Sequence, residues 1–271
     1  MKRIFKIEMK RAFLNRMFAA SLLIGLAVCT IQIFAEVLPM QQYQQSLMQS
    51  DVYPHGVFSK WIGGGNSYWV VLYFALLPIL AALPFADSLH ADRRSGYVKN
   101  IFTRGKRRSY YTAKFISVFL SGGAAAVLPL LWNLYLSAML LPSITPDPAA
   151  GTFWPNAASL WSEQFYTQPY LYTAIFCAMI FIVSGLLATV ALAATFFVKY
   201  RFVVLLVPFI VYQLITFLSR FVSDIGLDMQ QWLMPQQYFP IEPVKAGAEV
   251  LLLALIVLGI YCVRVKKDET Y

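Results

Sequence analysis

The sequence is short of charge, of histidine and of cysteine, and each shortage argues against a class of protein. Asp, Glu, Lys and Arg make up only 13% of its 271 residues, about half the share found in soluble domains. The two histidines, His55 and His90, lie in or near polar loops, which argues against a zinc site or histidine catalysis within a membrane. The three cysteines all fall inside apolar runs, so a disulfide framework is not expected.

Motifs of common enzyme chemistry are also missing. Gly63, Gly64 and Gly65 form a triplet, but no Gly-Lys-Ser/Thr follows it, as a phosphate-binding loop requires. Ser184 lies in an apolar run that holds no histidine to activate it as a nucleophile. We therefore expect no catalytic residues, no metal and no bound cofactor in this chain. A membrane enzyme stays an alternative, disfavoured because no catalytic set of residues converges.

Apolar sequence is what the chain has in abundance. Hydrophobic residues make up 59% of it, in blocks long enough to cross a hydrocarbon core about 30 Å thick. The pattern predicts an all-α membrane protein with one transmembrane domain over residues 1–271. Six spans are predicted, at about residues 18–38, 68–86, 115–141, 170–198, 202–218 and 246–263.

The basic residues are distributed unevenly between the two sides of these spans. Of the 22 Lys and Arg residues, 19 fall in the two terminal tails, the loop after the second span and the turn after the fourth. By the positive-inside rule, both termini are predicted to be cytoplasmic. The net charge of +9 is therefore explained without nucleic acid. Five of the six tryptophans lie at or beyond the opposite interface, where amphipathic rings sit well: Trp61, Trp69, Trp154, Trp161 and Trp232.

The first 17 residues predict a basic amphipathic helix. Phe5, Met9 and Phe13 form an i, i+4 apolar stripe, and six Lys and Arg residues supply the polar side. Such a helix is expected to lie in the membrane interface with its apolar stripe among the acyl chains.

The polar loop of residues 87–114 carries eight basic residues. Within it, Ala91 to Phe102 is predicted to form one short helix, with Asp92 near its start and Lys99 near its end, as the helix dipole favours. Positive charge here explains topology and attraction to anionic headgroups. Charge does not explain the uncharged segment embedded in it, Ser95-Gly96-Tyr97-Val98.

Few polar residues lie within the predicted spans, and the main ones are Asn133, Gln213 and Glu249. Polar groups inside a membrane are candidate substrate-pathway residues. Interhelical hydrogen bonding is the alternative for Asn133 and Gln213. Hydration at the interface is the alternative for Glu249, near the outer end of the sixth span.

The layout of nearly the whole chain resembles the type-2 ABC exporter permeases. The resemblance begins with the basic helix of residues 2–17, which leads into the first span. It continues after the second span with Asp92-Arg93-Arg94-Ser95-Gly96-Tyr97-Val98-Lys99. A basic turn and Lys114 then open the third span. Many members carry Glu-Arg and Gly-Thr in the second element, where this chain has Asp-Arg and Gly-Tyr.

The resemblance implies a function and partners. Residues 92–99 would form a coupling helix that docks a cytosolic ATP-binding subunit, present in two copies and holding the ATP and Mg. A second permease half, identical or homologous, would complete the transporter in a bacterial plasma (inner) membrane. The substrate would be an amphiphile, such as a peptide, a lipid-linked molecule or a drug, and it would move outward. The alternative is a membrane scaffold or immunity protein without transport.

Overall fold

All regular secondary structure in the described part of the chain is helical. The computed structural model describes residues 2–46, 55–62, 67–103, 106–147, 159–221, 228–235, 237 and 240–269. The helices are α1 (Lys2–Phe13), α2 (Arg16–Gln32), α3 (Leu38–Ser46), α4 (Val57–Lys60), α5 (Tyr68–Ala82), α6 (Ser88–Arg94), α7 (Tyr97–Phe102), α8 (Arg107–Leu140), α9 (Ser162–Thr167), α10 (Pro169–Ala194), α11 (Arg201–Phe221), α12 (Met229–Leu233) and α13 (Pro243–Glu269). A π-helical turn, Ile33–Val37, joins α2 to α3.

Five helical segments are long and apolar enough to cross a membrane. They are Arg16–Tyr43, Arg107–Leu140, Pro169–Ala194, Arg201–Ser219 and Pro243–Lys267. They correspond to the first, third, fourth, fifth and sixth predicted spans, so the chain is a multi-pass helical membrane protein.

The second predicted span is not confirmed as a span. Its helix, α5, has 15 residues and is therefore about 22 Å long, which is shorter than the hydrocarbon core. The chain then continues as a series of turns over residues 83–87 instead of as regular helix. One face of α5 is covered by protein, since Val70, Tyr73, Phe74 and Leu77 are buried, while Tyr68 and Val71 are exposed.

The first predicted helix is shorter than its sequence pattern suggested. It ends at Phe13, and α2 begins at Arg16. Asn15 separates the two helices because its side chain caps both of them. Its Oδ1 accepts from the Phe18 N–H at 2.7 Å, and its Nδ2 donates to the carbonyls of Arg11 and Ala12, each at 2.8 Å. Asparagine is among the preferred residues for the first of these roles.

The third predicted span also differs, because its helix begins at Arg107, eight residues before the expected Phe115. A lysine at position 114 would ordinarily mark the end of a span. Here Lys114 is fully buried inside α8, which requires partners of opposite charge close by.

Helix α10 lies at the centre of the bundle and contacts α5, α8, α11 and α13. Its closest neighbour is α8, and glycines allow the close approach. A Cβ on Gly122 of α8 would lie 2.5 Å from the Ala188 Cβ and 2.8 Å from the Ala81 carbonyl oxygen. A Cβ on Gly185 of α10 would lie 2.7 Å from the Phe119 ring. Small residues at helix contacts are the usual means of close packing in membranes.

Four of the five tryptophans predicted at the outer interface pack in or against the protein core. Trp61 and Trp232 are buried in the main hydrophobic cluster, and Trp161 packs against it half-buried. Trp69 also packs against that cluster, while Trp154 lies outside the described residues. The rings serve the protein core because short helices fold back over the ends of the spans.

The close approach of α8 and α10 predicts a strong effect of one methyl group. Gly122→Ala should lower the free energy of unfolding by about 1–3 kcal/mol, as overpacking does. Gly259→Ala is the control, because a Cβ there meets no atom of the described residues within 4 Å. It should be neutral or stabilising by up to about 1 kcal/mol, since alanine favours helix. Thermal unfolding in detergent, followed by circular dichroism, measures both; equal melting temperatures would contradict the packing.

Candidate functional site

Charged residues from three separate parts of the chain meet at one end of the bundle. This end, formed by α1, α6, α7, the start of α8 and the end of α13, is called the basic end here. Its centre is a buried ion cluster of five side chains: Glu8, Arg11, Asp92, Tyr110 and Lys114.

Lys114 is the central cation of the buried ion cluster. Its Nζ lies 2.5 Å from Glu8 Oε2 and donates to Asp92 Oδ2 at 2.7 Å. The contact with Glu8 is an ion pair without the alignment of a hydrogen bond. The ammonium group also lies over the Phe85 ring, 4.5 Å from its centroid. Two carboxylates and an aromatic face thus replace the water that the lysine loses.

Arg11 is the second cation, and it joins the same two carboxylates. It makes a bidentate contact with Asp92, with N–O distances of 2.5 and 3.2 Å, and it donates to Glu8 Oε1 at 2.8 Å. Its guanidinium also lies 4.6 Å from the centroid of the Tyr97 ring. A bidentate pair of this kind fixes the angle between the guanidinium and the carboxylate as well as the distance between them.

Asp92 accepts more contacts than any other carboxylate of the cluster. Besides Arg11 and Lys114, the Tyr110 hydroxyl donates to its Oδ2 at 2.6 Å. Burial alone would raise the pKa of Asp92, but hydrogen bonds and charge from Arg11, Lys114 and Tyr110 outweigh it and lower the pKa. Burial likewise opposes the charged form of Arg11, and the two carboxylates overcome it to raise the pKa of that guanidinium. These two groups are therefore charged at neutral pH.

The buried ion cluster fixes the arrangement of helices more than it adds stability. Desolvating ions costs about as much as their attraction returns, so a buried pair is weak evidence for stability. The cluster pairs two cations with two carboxylates, and these four groups come from α1, α6 and α8. It therefore connects α6, which is not a span, to the transmembrane helix α8 and to the amphipathic helix α1.

The predicted single helix from Ala91 to Phe102 is wrong in one respect, because it is two helices. Helix α6 ends at Arg94 and α7 begins at Tyr97. Gly96, between them, has a φ of 72°, in the left-handed region that glycine occupies without the cost borne by other residues. Asp92 consequently lies in the last turn of α6 and not near a helix start.

The eight predicted docking residues are divided by this geometry. Asp92 and Val98 are buried and face the protein. Arg93 and Tyr97 are half-buried, with the Arg93 guanidinium 4.5 Å from the centroid of the Phe196 ring. The exposed members are Arg94, Ser95 and Lys99. Gly96 is half-buried and holds the turn.

Two open cavities flank α6 and α7. One, of about 560 Å³, lies between α6 and residues 195–199 and is lined by His90, Arg93, Arg94 and Lys199 among others. The other, of about 320 Å³, lies between α1 and α7 and includes Ile4 and Ile101 in its walls. The two short helices, called the ridge here, thus have a basic hollow beside α6 and a mixed hollow beside α7.

Asn133, a predicted pathway residue, forms a saturated structural hydrogen-bond network. Its amide nitrogen donates to the Cys29 carbonyl at 3.0 Å and to Gln32 Oε1 at 2.8 Å, and its Oδ1 accepts from the Ile62 N–H at 2.7 Å. Gln32 in turn donates to the Lys60 carbonyl at 3.0 Å. These contacts agree with the alternative of interhelical bonding and give Asn133 a role in holding α8 against α2.

The other two predicted pathway residues lie near the opposite end of the bundle. Gln213 is half-buried on α11. Glu249 of α13 accepts a hydrogen bond from the Trp232 indole N–H at 2.8 Å, while its other carboxylate oxygen has no hydrogen-bond partner among the described residues. Asp228 lies nearby, capping α12 and accepting from Thr216 at 3.0 Å. The structure does not bring Asn133, Gln213 and Glu249 together in one described cavity.

The buried ion cluster was not predicted, although two signals in the sequence point to it. Glu8 is the one acidic residue in a tail that carries six basic residues, and Lys114 stands at the edge of a long apolar run. Each signal indicates that the charged residue has a partner of opposite charge, but neither identifies that partner. Among the described residues, no group of three or more His, Cys, Asp or Glu side chains could hold a metal ion.

Comparison of the chain with protein-family models, with curated proteins and with solved structures gives no match. The function must therefore be argued from the geometry of the basic end.

Removing Lys114 should unbalance the buried ion cluster. Lys114→Met leaves two carboxylates with one cation, which should cost on the order of 3–5 kcal/mol of stability. Adding Glu8→Gln removes the excess negative charge, so the double variant should melt at a higher temperature than Lys114→Met alone. Lys99→Met, on the exposed face of α7, is the control and should change little. Glu8→Gln is also measured alone. If the loss of stability in the double variant equals the sum of the losses in Lys114→Met and Glu8→Gln, the charges do not act as a unit.

Proposed function

We propose that this chain is the permease subunit of an ABC exporter, which moves an amphiphilic substrate outward with ATP hydrolysed by a separate cytosolic subunit. The observation that carries the proposal is the ridge of α6 and α7, joined to the transmembrane bundle by the buried ion cluster. The exposed residues Arg94, Ser95 and Lys99 can contact a partner, while the buried Asp92 is ion-paired to the bundle. This arrangement suits a docking element that transmits movement of the partner to the transmembrane helices.

The mechanism follows from the connections of the ridge. A partner that grips Arg94, Ser95 and Lys99 also moves Asp92, because all four residues belong to α6, α7 and the turn between them. Asp92 is held by Arg11 of α1 and by Lys114 of α8. A second link joins the ridge to α11, since Asp87 forms an ion pair with Arg201. Displacement of the ridge would therefore tilt α1, α8 and α11 together instead of bending a loop.

The proposed transporter has two such chains or two homologous halves, and two ATPase subunits hold the ATP and Mg. The basic end then faces the cytoplasm, in agreement with the positive-inside rule. Gln213 and Glu249 lie toward the outer side and are the better candidates for contact with substrate, because the Asn133 amide is already saturated. A scaffold or immunity protein without transport is the alternative, and it requires no ATPase at the ridge.

Orientation in the membrane is the first test. In a Cys262→Ser background, a cysteine at Thr167 should react with an impermeant thiol reagent in intact cells, because α9 lies beyond the far end of α8. A cysteine at Ser95 should react only after the membrane is permeabilised. Both positions are exposed in the folded protein, so accessibility reports sidedness. The reverse pattern would place the ridge outside and end the ATPase proposal.

Docking is the second test, and it leaves every charge in place. Ala91→Trp and Ser95→Trp add bulk to the exposed face of the ridge, which should reduce co-purification of a protein bearing ABC ATPase motifs by roughly tenfold or more. The same variants should lose ATP hydrolysis that depends on the complex. Both chains should still insert normally, since topology depends on Lys and Arg.

The matched control for docking is Thr167→Trp, the same bulk at an exposed position of α9. It should leave ATPase association unchanged. If the ridge variants bind and stimulate an ATPase as the control does, the ridge is not a docking element. If the wild-type chain associates with no such ATPase, the scaffold alternative is favoured.

A further inference from the structure

A groove between α8 and α13 opens near the basic end. Its volume is about 410 Å³, and it lies on the side of α8 away from the buried ion cluster. The aromatic residues Tyr111, Phe115 and Tyr261 line it, and the Tyr261 hydroxyl donates to the Tyr111 carbonyl at 2.9 Å across its floor.

The groove has a gradient of polarity along its length. The two helices run antiparallel, so their residues pair level by level. Arg108 and Lys266 stand nearest the basic end, Thr112 and Cys262 come next, and Phe115 and Leu258 lie deepest. From Arg108 to Phe115 the helix rises about 10 Å. The groove is thus cationic at its mouth and apolar in its depth.

The open side of the groove faces the surroundings of the bundle. Leu258, Cys262 and Lys266 repeat every four residues and form an exposed stripe along α13. In the most apolar window of α13 only 22% of residues are buried, against 67% for α10. An exposed apolar stripe on a transmembrane helix faces lipid unless protein covers it.

We propose that this groove binds one anionic phospholipid from the leaflet at the basic end. The phosphate group lies between Arg108 and Lys266, and the first part of an acyl chain follows Phe115 and Leu258. Paired basic residues between transmembrane helices are suited to anionic headgroups. A zwitterionic lipid carries a phosphate too, but its own cation is repelled by the same two side chains. The proposal needs only that the chain spans a membrane, so it stands apart from the transport proposal.

Bound lipid has a structural consequence for α13. It would fill the space between α8 and α13 at the level where the described contacts consist mainly of Tyr261 and its aromatic neighbours Tyr111 and Phe115. An anionic lipid should therefore raise the melting temperature of the chain and shield Cys262. The other two cysteines, Cys29 and Cys177, are buried, which makes Cys262 the natural reporter.

The experiment uses the delipidated full chain in detergent, titrated with phosphatidylglycerol or with phosphatidylcholine of the same acyl chains. Phosphatidylglycerol should slow maleimide modification of Cys262 and raise the melting temperature at a lower mole fraction than phosphatidylcholine does. In the Arg108→Gln, Lys266→Gln variant the preference should fall by about fivefold for each charge and about thirtyfold for both. Both residues are exposed, and melting in lipid-free detergent verifies the fold.

The matched control is the Lys106→Gln, Lys267→Gln variant. It removes two exposed charges from the same end without touching the lining of the groove, so it should keep the wild-type preference. An equal loss in both variants would reduce the effect to general surface attraction and overturn the site. Equal protection by the two lipids would also overturn it. Protection that rises with protein concentration would assign the groove to a second copy of the chain.

Discussion

The arrangement of the basic end depends on one buried ammonium group. Lys114 lies inside the third long helix with no exposed surface, where a lone charge would be far too costly. It is tolerated because Glu8 and Asp92 reach it from α1 and α6, and because Phe85 offers its ring. The pairing of Lys114 and Arg11 with these carboxylates joins α1, α6 and α8 at the basic end.

The same principle, polar groups satisfied internally, operates higher in the bundle with neutral partners. Asn133 uses both amide hydrogens and its carbonyl oxygen to join α8 with α2 and the segment around Ile62. The close α8–α10 contact relies on the opposite means, the absence of side chains at Gly122 and Gly185. Hydrogen bonds and small residues are what remain to bind helices when lipid removes the hydrophobic effect between them. The bundle therefore has charge at the basic end, tight glycine contacts farther along α8, and amide hydrogen bonds toward the opposite end.

This division has a bearing on the proposed function. Close helix packing within the bundle and the buried ion cluster at the basic end suit a protein in which a cytosolic partner moves the short helices. The buried ion cluster has no net charge and its four charged groups are paired, so it would move as a rigid unit without exposing an ion to lipid. The lipid groove between α8 and α13 would act on the opposite side of α8, where anionic lipid would stiffen the attachment of α13 to the rest of the bundle.

The sequence by itself determined the helical class, the long apolar helices and the concentration of basic residues at one end. These properties depend on composition and on local periodicity, both of which can be read directly from a single sequence. It also pointed to the loop after α5 as the distinctive element. The expected single helix is broken at Gly96, and the neighbouring residues do not predict the left-handed backbone conformation of that glycine.

Only the tertiary structure decided which partners Lys114, Arg11 and Glu8 find. Asp92 is 81 residues from Arg11 and 22 from Lys114 along the chain, and no spacing rule links such distant positions. It also decided that Trp61 and Trp232 belong to the core and that α5 ends at Ala82. The physical reason is the same in each case. Burial and pairing depend on how helices pack together, and helix periodicity specifies the face of a helix but not the helix that covers it.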